Sequence, residues 1–180
     1  DSWSVAQFDR HIRDLIIFGC NSIEIEYKPD TSPHHILPFH QMITEICGLA
    51  ARYNLDCTLW IPNLEPASYY LDPRFSQCEL EQRMELFSSM PKLSAITVPG
   101  GNPGQLRPQI LFPWVQRLTD LLRQCGHPAA AWVSAQWMRA DCAWYQEFLQ
   151  LANQKPAWLR GIVHGPWTQL SIPDLRHQLR

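Results

Sequence analysis

The chain has 180 residues, 46% hydrophobic and 18% charged, which is enough for one full core without disulfide staples. Its formal net charge is -2, and its 15 basic and 17 acidic residues are dispersed, so it lacks the concentrated basic face that a nucleic-acid partner requires. No apolar run is long enough to span a bilayer, and six cysteines without a CxxC pair read as free thiols, leaving the compartment open between cytoplasmic and secreted or periplasmic.

An amphipathic helix is predicted over residues 5–18, where apolar residues recur at three- and four-residue spacing. A short strand, NSIEIE at 21–26, follows it. Its glutamates alternate with isoleucines, which places Glu24 and Glu26 on one face. Glu26, nearer the strand end, is the better candidate for chemistry, and Glu24 is expected to be a hydrogen-bonded structural acid or an arginine partner. Tyr27 comes directly after. The next loop holds His34, His35 and His40, but HHx4H is not a tetrahedral ligand pattern, and no metal site is predicted.

The second helix is expected at 39–53 and the second strand, DCTLWI, at 56–61, with Trp60, Asn63 and Glu65 at or just past its end. A long loop then leads to a helix at 77–89 and a third strand, SAITV, at 94–98. The turn after it, PGGNPGQ, matches neither GxGxxG nor GxxxxGK[ST], so no nucleotide cofactor is expected. Its glycines at 100, 101 and 104 permit a close approach to the main chain, either by a ligand or simply to make the turn, and Asn102 offers a donor and an acceptor there. A helix at 110–125, a strand AAWVSAQ at 130–136, a helix at 140–153 and a strand RGIVH at 160–164 complete the pattern. A last helix begins near Ser171. Gln136, Trp137, His164 and Trp167 fall at or just past the last two strand ends.

Strand starts at 21, 56, 94, 130 and 160, each separated from the next by a helix, imply a parallel α/β sheet with long loops at the carboxyl ends. A doubly wound sheet and a (β/α) barrel both satisfy this order. Polar residues inside the strands, Glu24, Glu26, Thr58, Thr97, Ser134 and His164, favour a barrel interior over a sheet covered on both faces. A full barrel takes about 250 residues, so the prediction is a partial (β/α)8 TIM-type barrel with strands missing on one or both ends of this chain.

Tyr27, Trp60, Trp137 and Trp167 are aromatic platforms of the kind that stack on a sugar ring, and Glu26, Asn63, Glu65, Asn102, Gln136 and His164 are its hydroxyl partners. Glycoside hydrolysis usually takes two carboxylates; Glu26 is the first candidate and Glu65 the reserve. No carboxylate ends the third, fourth or fifth strand.

The phrases FDRHIRDLIIFGCNSIEIEY, ITVPGGNPG, WVSAQW and PAWLRGIVHGPW resemble the catalytic barrel of bacterial glycoside-hydrolase-like proteins related to α-glucuronidases and hexosaminidases. The resemblance implies a TIM-type barrel, carbohydrate ligands and no obligatory metal. It also implies an acidic residue where Asn102 stands, and an asparagine there can bond a sugar but cannot donate a carboxylic proton. Three functions follow as expectations: a glycosidase-like enzyme using Glu26, a noncatalytic sugar-binding domain, or a metal-dependent sugar isomerase with Glu26 and His164 as ligands. The last is disfavoured for want of further acidic ligands.

Overall fold

The structure, a computed structural model, describes residues 3–27, 36–101, 106–139, 141–164, 171–173 and 176. Asn102, Gly104, Trp167, His34 and His35 therefore lie outside the described residues. The elements run α1 (Val5–Ile17), β1 (Ser22–Glu26), α2 (Phe39–Arg52), β2 (Asp56–Trp60), α3 (Ala67–Leu71), α4 (Pro73–Ser89), β3 (Ala95–Pro99), α5 (Pro108–Gln124), β4 (Ala131–Ser134), α6 (Ala143–Asn153) and β5 (Leu159–Val163).

The five strands form one parallel sheet in the order β1-β2-β3-β4-β5. A doubly wound sheet reverses its strand order at a switch point. This sheet has no reversal, so it is the consecutive arrangement of a TIM-type barrel. Successive helices pack side by side, α1 on α2, α4 on α5 and α5 on α6.

Register sorts the strand residues onto two faces. Cys57, Leu59, Ile96, Val98, Ala131 and Val133 are almost wholly buried and form the inner side of the core. Leu86, Phe87, Leu118, Tyr145, Phe148 and Trp158 bring the helix layer down onto them. The opposite, concave face carries Glu24, Glu26, Thr58, Trp60, Thr97, Trp132 and Ser134, since Glu24 pairs with Thr58, Glu26 with Trp60, Trp60 with Thr97, and Thr97 with Trp132.

Four of the joins from helix to strand share one device. Gly19, Asn54, Gly126 and Lys155 all have positive φ just past α1, α2, α5 and α6. The turn lets a following amide reach back into the last helical turn: Cys20 N–H donates to the Leu15 carbonyl, Leu55 to Ala50 and His127 to Leu122, each at 2.9 or 3.0 Å. That repetition explains why these joins are short.

The largest differences from the sequence reading are one missed helix and two boundaries. The segment after β2 is not all loop, because it contains α3, and α4 begins at Pro73, earlier than the predicted 77. The Asp72 side chain accepts from Arg74 N–H at 2.8 Å and Pro73 occupies the first turn, a start signal that apolar periodicity alone passes over. Strand β4 is also shorter than 130–136: beyond Ser134 the chain turns at Gln136 and Trp137, with Met138 N–H donating to the Ala135 carbonyl at 3.1 Å. Ile172, Pro173 and Arg176 are helical, in keeping with a helix starting near Ser171.

Candidate functional site

All five strands point their carboxyl ends the same way, so β1 through β5 share one rim. Glu26 and Trp60 are register partners at that rim, and Trp60 pairs in turn with Thr97. Below Glu26, Glu24 reaches across the concave face and accepts a hydrogen bond from the Thr97 hydroxyl, two strands away. Glu24 is thus a hydrogen-bonded acid, as one of its two expected roles had it, but its donor is a threonine.

Sequence reasoning did not single out Trp132. It lies on the same face as Thr97 and packs against Gly161 of β5, where a Cβ would stand 2.6 Å from the indole. The alternation in AWVS carried the signal, because the residue two before Ser134 must share its face. Trp60 and Trp132 are both half-buried, leaving part of each ring available above a floor of buried Thr58, Thr97 and Ser134. The Ser134 hydroxyl has no partner among the described residues.

The glycines that open the loop after β3 are explained by the chain itself. A Cβ at Gly100 would stand 2.4 Å from the Ser134 carbonyl oxygen, and one at Gly101 only 2.0 Å from that of Gln136. The main chain that comes close at these two positions is β4 and its loop, with Gly100 N–H donating to Ser134 at 2.9 Å. Asn63, predicted as a ligand contact, is buried, and its amide donates to the Pro99 carbonyl at 3.0 Å, tying the β2 loop to the end of β3.

Around the rim, Trp137 is 50% exposed and has φ of 65°, an uncommon conformation for a bulky side chain. Gln136 is half-buried beside it. His164 follows β5 at the opposite edge of the sheet from Glu26, and partial burial holds its imidazole below the ordinary histidine value. Asp141, a rim-side carboxylate not considered from sequence, is gripped through two hydrogen bonds by Arg139, which holds it below the usual carboxylate range and removes it as a proton donor. His40 lies in α2, its ring bonded to the Ser89 hydroxyl of α4 at 2.7 Å.

Tyr27 and Glu65 are not on the concave face. Tyr27 is the next residue after Glu26 and so points the other way, packing against Phe39 of α2 with the Arg83 guanidinium 4.7 Å above its ring. Together with Pro62, Leu64, Glu65, Tyr70, Glu79, Gln82 and Arg83 it lines a separate cavity of about 230 Å3. The Tyr70 hydroxyl there accepts from Glu65 N–H at 3.4 Å, and burial pushes its pKa up to about 12.

Among the described residues no helix is long and apolar enough to cross a membrane, and no three His, Cys, Asp or Glu side chains converge as metal ligands.

No family model and no curated protein sequence matches the chain. Solved structures do. N-acetylneuraminate lyase of Proteus mirabilis superposes with a TM-score of 0.58 at 16% identity, over 98% of this chain and 54% of the lyase. GH5_18 from Streptomyces cattleya in complex with GlcNAc gives 0.54 at 11% identity, over 77% of this chain and 42% of that one. A variant of it in complex with Manβ1-4GlcNAc gives 0.54 at 12%, with the same coverage. These likenesses bear out the TIM-type barrel, and the chain spans about half the length of the structures it matches.

Proposed function

We propose that this chain is a carbohydrate-active barrel domain that takes a glycoside on its concave face, at the carboxyl ends of the strands. The observation that carries the reading is the register of Glu26, Trp60, Thr97 and Trp132, which sets a carboxylate and two half-buried indoles on one face of a parallel sheet. An indole face takes the C–H side of a sugar ring, and a carboxylate takes its hydroxyls. In this reading Gln136, Trp137 and His164 frame the mouth, and Glu26 is the group for acid–base chemistry. In this reading the five units supply one part of a barrel such as the matched structures have, of whose length the chain spans about half.

Noncatalytic sugar binding is the second reading, and one observation favours it. No second carboxylate is placed to work with Glu26: Glu65 lines the other cavity, Asp141 is held by Arg139, and Glu24 lies on the same strand as Glu26, about 6.6 Å deeper by the rise of a strand. Two acids on one strand approach a bond from the same side, whereas hydrolysis needs them flanking it. An isomerase metal shared by Glu26 and His164 is disfavoured because, among the described residues, no group of three His, Cys, Asp or Glu side chains could complete a ligand set.

The test is titration with GlcNAc and Manβ1-4GlcNAc, the sugars named with the GH5_18 structures, alongside a panel of aryl glycosides and uronides. Binding that Trp60→Ala weakens at least tenfold supports the concave site. Turnover lost in Glu26→Gln makes it an enzyme; binding without turnover makes it a lectin-like domain. Binding and turnover indifferent to both substitutions would remove the concave face from the proposal.

A further inference from the structure

We propose that the concave face favours a sugar carrying a protonated amine, as in a glucosamine unit, over the N-acetylated form of that sugar and over uronic acids. This selectivity rests on the carbohydrate reading of the face and deepens it, because charge as well as ring shape then chooses the ligand.

Glu24 and Glu26 stand on this face two residues apart, both exposed along β1. The Thr97 hydroxyl engages one oxygen of Glu24, Oε2, and neither glutamate has an ion-pair partner among the described residues. The half-buried indole of Trp60 is the register partner of Glu26, and that of Trp132 lies on the same face two strands further along. An ammonium group suits both kinds of neighbour, since it donates to a carboxylate and is drawn to the face of an indole.

No cation among the described residues answers these two acids. Arg160 is the one Lys or Arg in the described strands, and with Asp56 and Lys92 it lines a cavity at the amino ends of the strands, away from the rim. At the rim, Arg139 is taken by Asp141, and Arg107 lies over the Trp144 ring of α6. Burial holds the His164 imidazole below the ordinary histidine value, so it is mostly uncharged at neutral pH. In sequence, 102–105 and 165–170 contain no charged residue, and 28–35 contains Lys28 together with Asp30. A uronic acid would bring its carboxylate up to two like charges with no cation there to receive it, whereas an amino sugar meets charge of the opposite sign.

The experiment is calorimetric titration at about pH 6.5, where amines are protonated and carboxylates ionised. The probes are the β1-4 disaccharide of glucosamine, its di-N-acetyl form, and a glucose disaccharide ending in glucuronic acid. The expected result is roughly tenfold tighter binding of the amine form than of the N-acetyl form, a gap that narrows as salt is added, with the uronic acid weakest of the three. Glu24→Gln and Glu26→Gln should each lower the ratio of amine to N-acetyl affinity and together abolish it. Glu85→Gln, which removes an exposed acid of α4, should leave it unchanged. Equal affinity for the amine and N-acetyl forms, or tighter binding of the uronic acid, would overturn the proposal. So would a preference that survives the double substitution or falls as far in Glu85→Gln, because the charge responsible would then lie elsewhere. Binding of the N-acetyl form that Trp60→Ala weakens, without any preference for the amine, sinks the selectivity and leaves the carbohydrate reading standing; no binding of any probe removes both.

Discussion

The three central strands and the two edge strands are built from the same repeat but do different work. In β2, β3 and β4 most side chains are buried on both faces, down to the polar Thr58, Thr97 and Ser134. In β1 and β5 none is fully buried. The carboxylates of the concave face and the histidine at the rim belong to the edges: Glu24 and Glu26 on β1, His164 after β5. A position surrounded by packed neighbours cannot keep an ionised group without partners, and within these five strands the central three are the ones so surrounded. The centre is therefore where substitutions should cost most, and Glu26 on β1 is where a charge can be changed most cheaply.

That contrast predicts a graded series. Leu59→Ala in β2, at a site with 0% exposure, should cost about 2–5 kcal/mol in a urea unfolding curve, and Ile25→Ala on half-buried β1 less than half as much. Equal losses would break the distinction between centre and edge. Gly101→Ala should cost on the order of 1–3 kcal/mol, because its Cβ would have to share space with the Gln136 carbonyl oxygen. A neutral effect there would show that the β3 and β4 loops are not held together as described. Asn63→Ala should lose about 1–3 kcal/mol by stranding the buried Pro99 carbonyl, and the same urea unfolding curve can measure it.

At the margins the expected effects are smallest. Glu26→Gln should alter stability by no more than about 0.5 kcal/mol, so any loss of sugar binding or turnover in it reads as function. The His164 imidazole is depressed in the folded chain, so the unfolded chain takes up a proton first as pH falls. Stability should therefore be complete above the ordinary histidine pKa and decline modestly below it. The same unfolding measurements in His164→Gln should lack that decline.

How far the sequence could be read depended on whether the signal was local. The period of two in IEIE was enough to place Glu24 with Glu26, and the alternation of strands and helices, together with the polar residues inside the strands, was enough to favour a barrel. α3 escaped because five residues are too few to show a helical period, and the start of α4 escaped because it is marked by Asp72-Pro73 and not by an apolar stripe. Tyr27 reads in the sequence as a strand-end aromatic beside Glu26. Adjacency in a strand is what separates them, since neighbouring side chains leave opposite faces.

The amino-acid order by itself determined the five strands, most of the helices between them and the two faces of β1, because a side-chain period shows within a few consecutive residues, and the order of those elements then gave the class of fold. Only the tertiary structure decided which faces met: that Thr97 reaches Glu24 across an intervening strand, that Gly101 makes room for a neighbouring backbone, and that Arg83 roofs Tyr27. Those contacts join residues as far apart as 73 positions, and their register is set by how whole strands and helices pack, a property no short window of sequence contains.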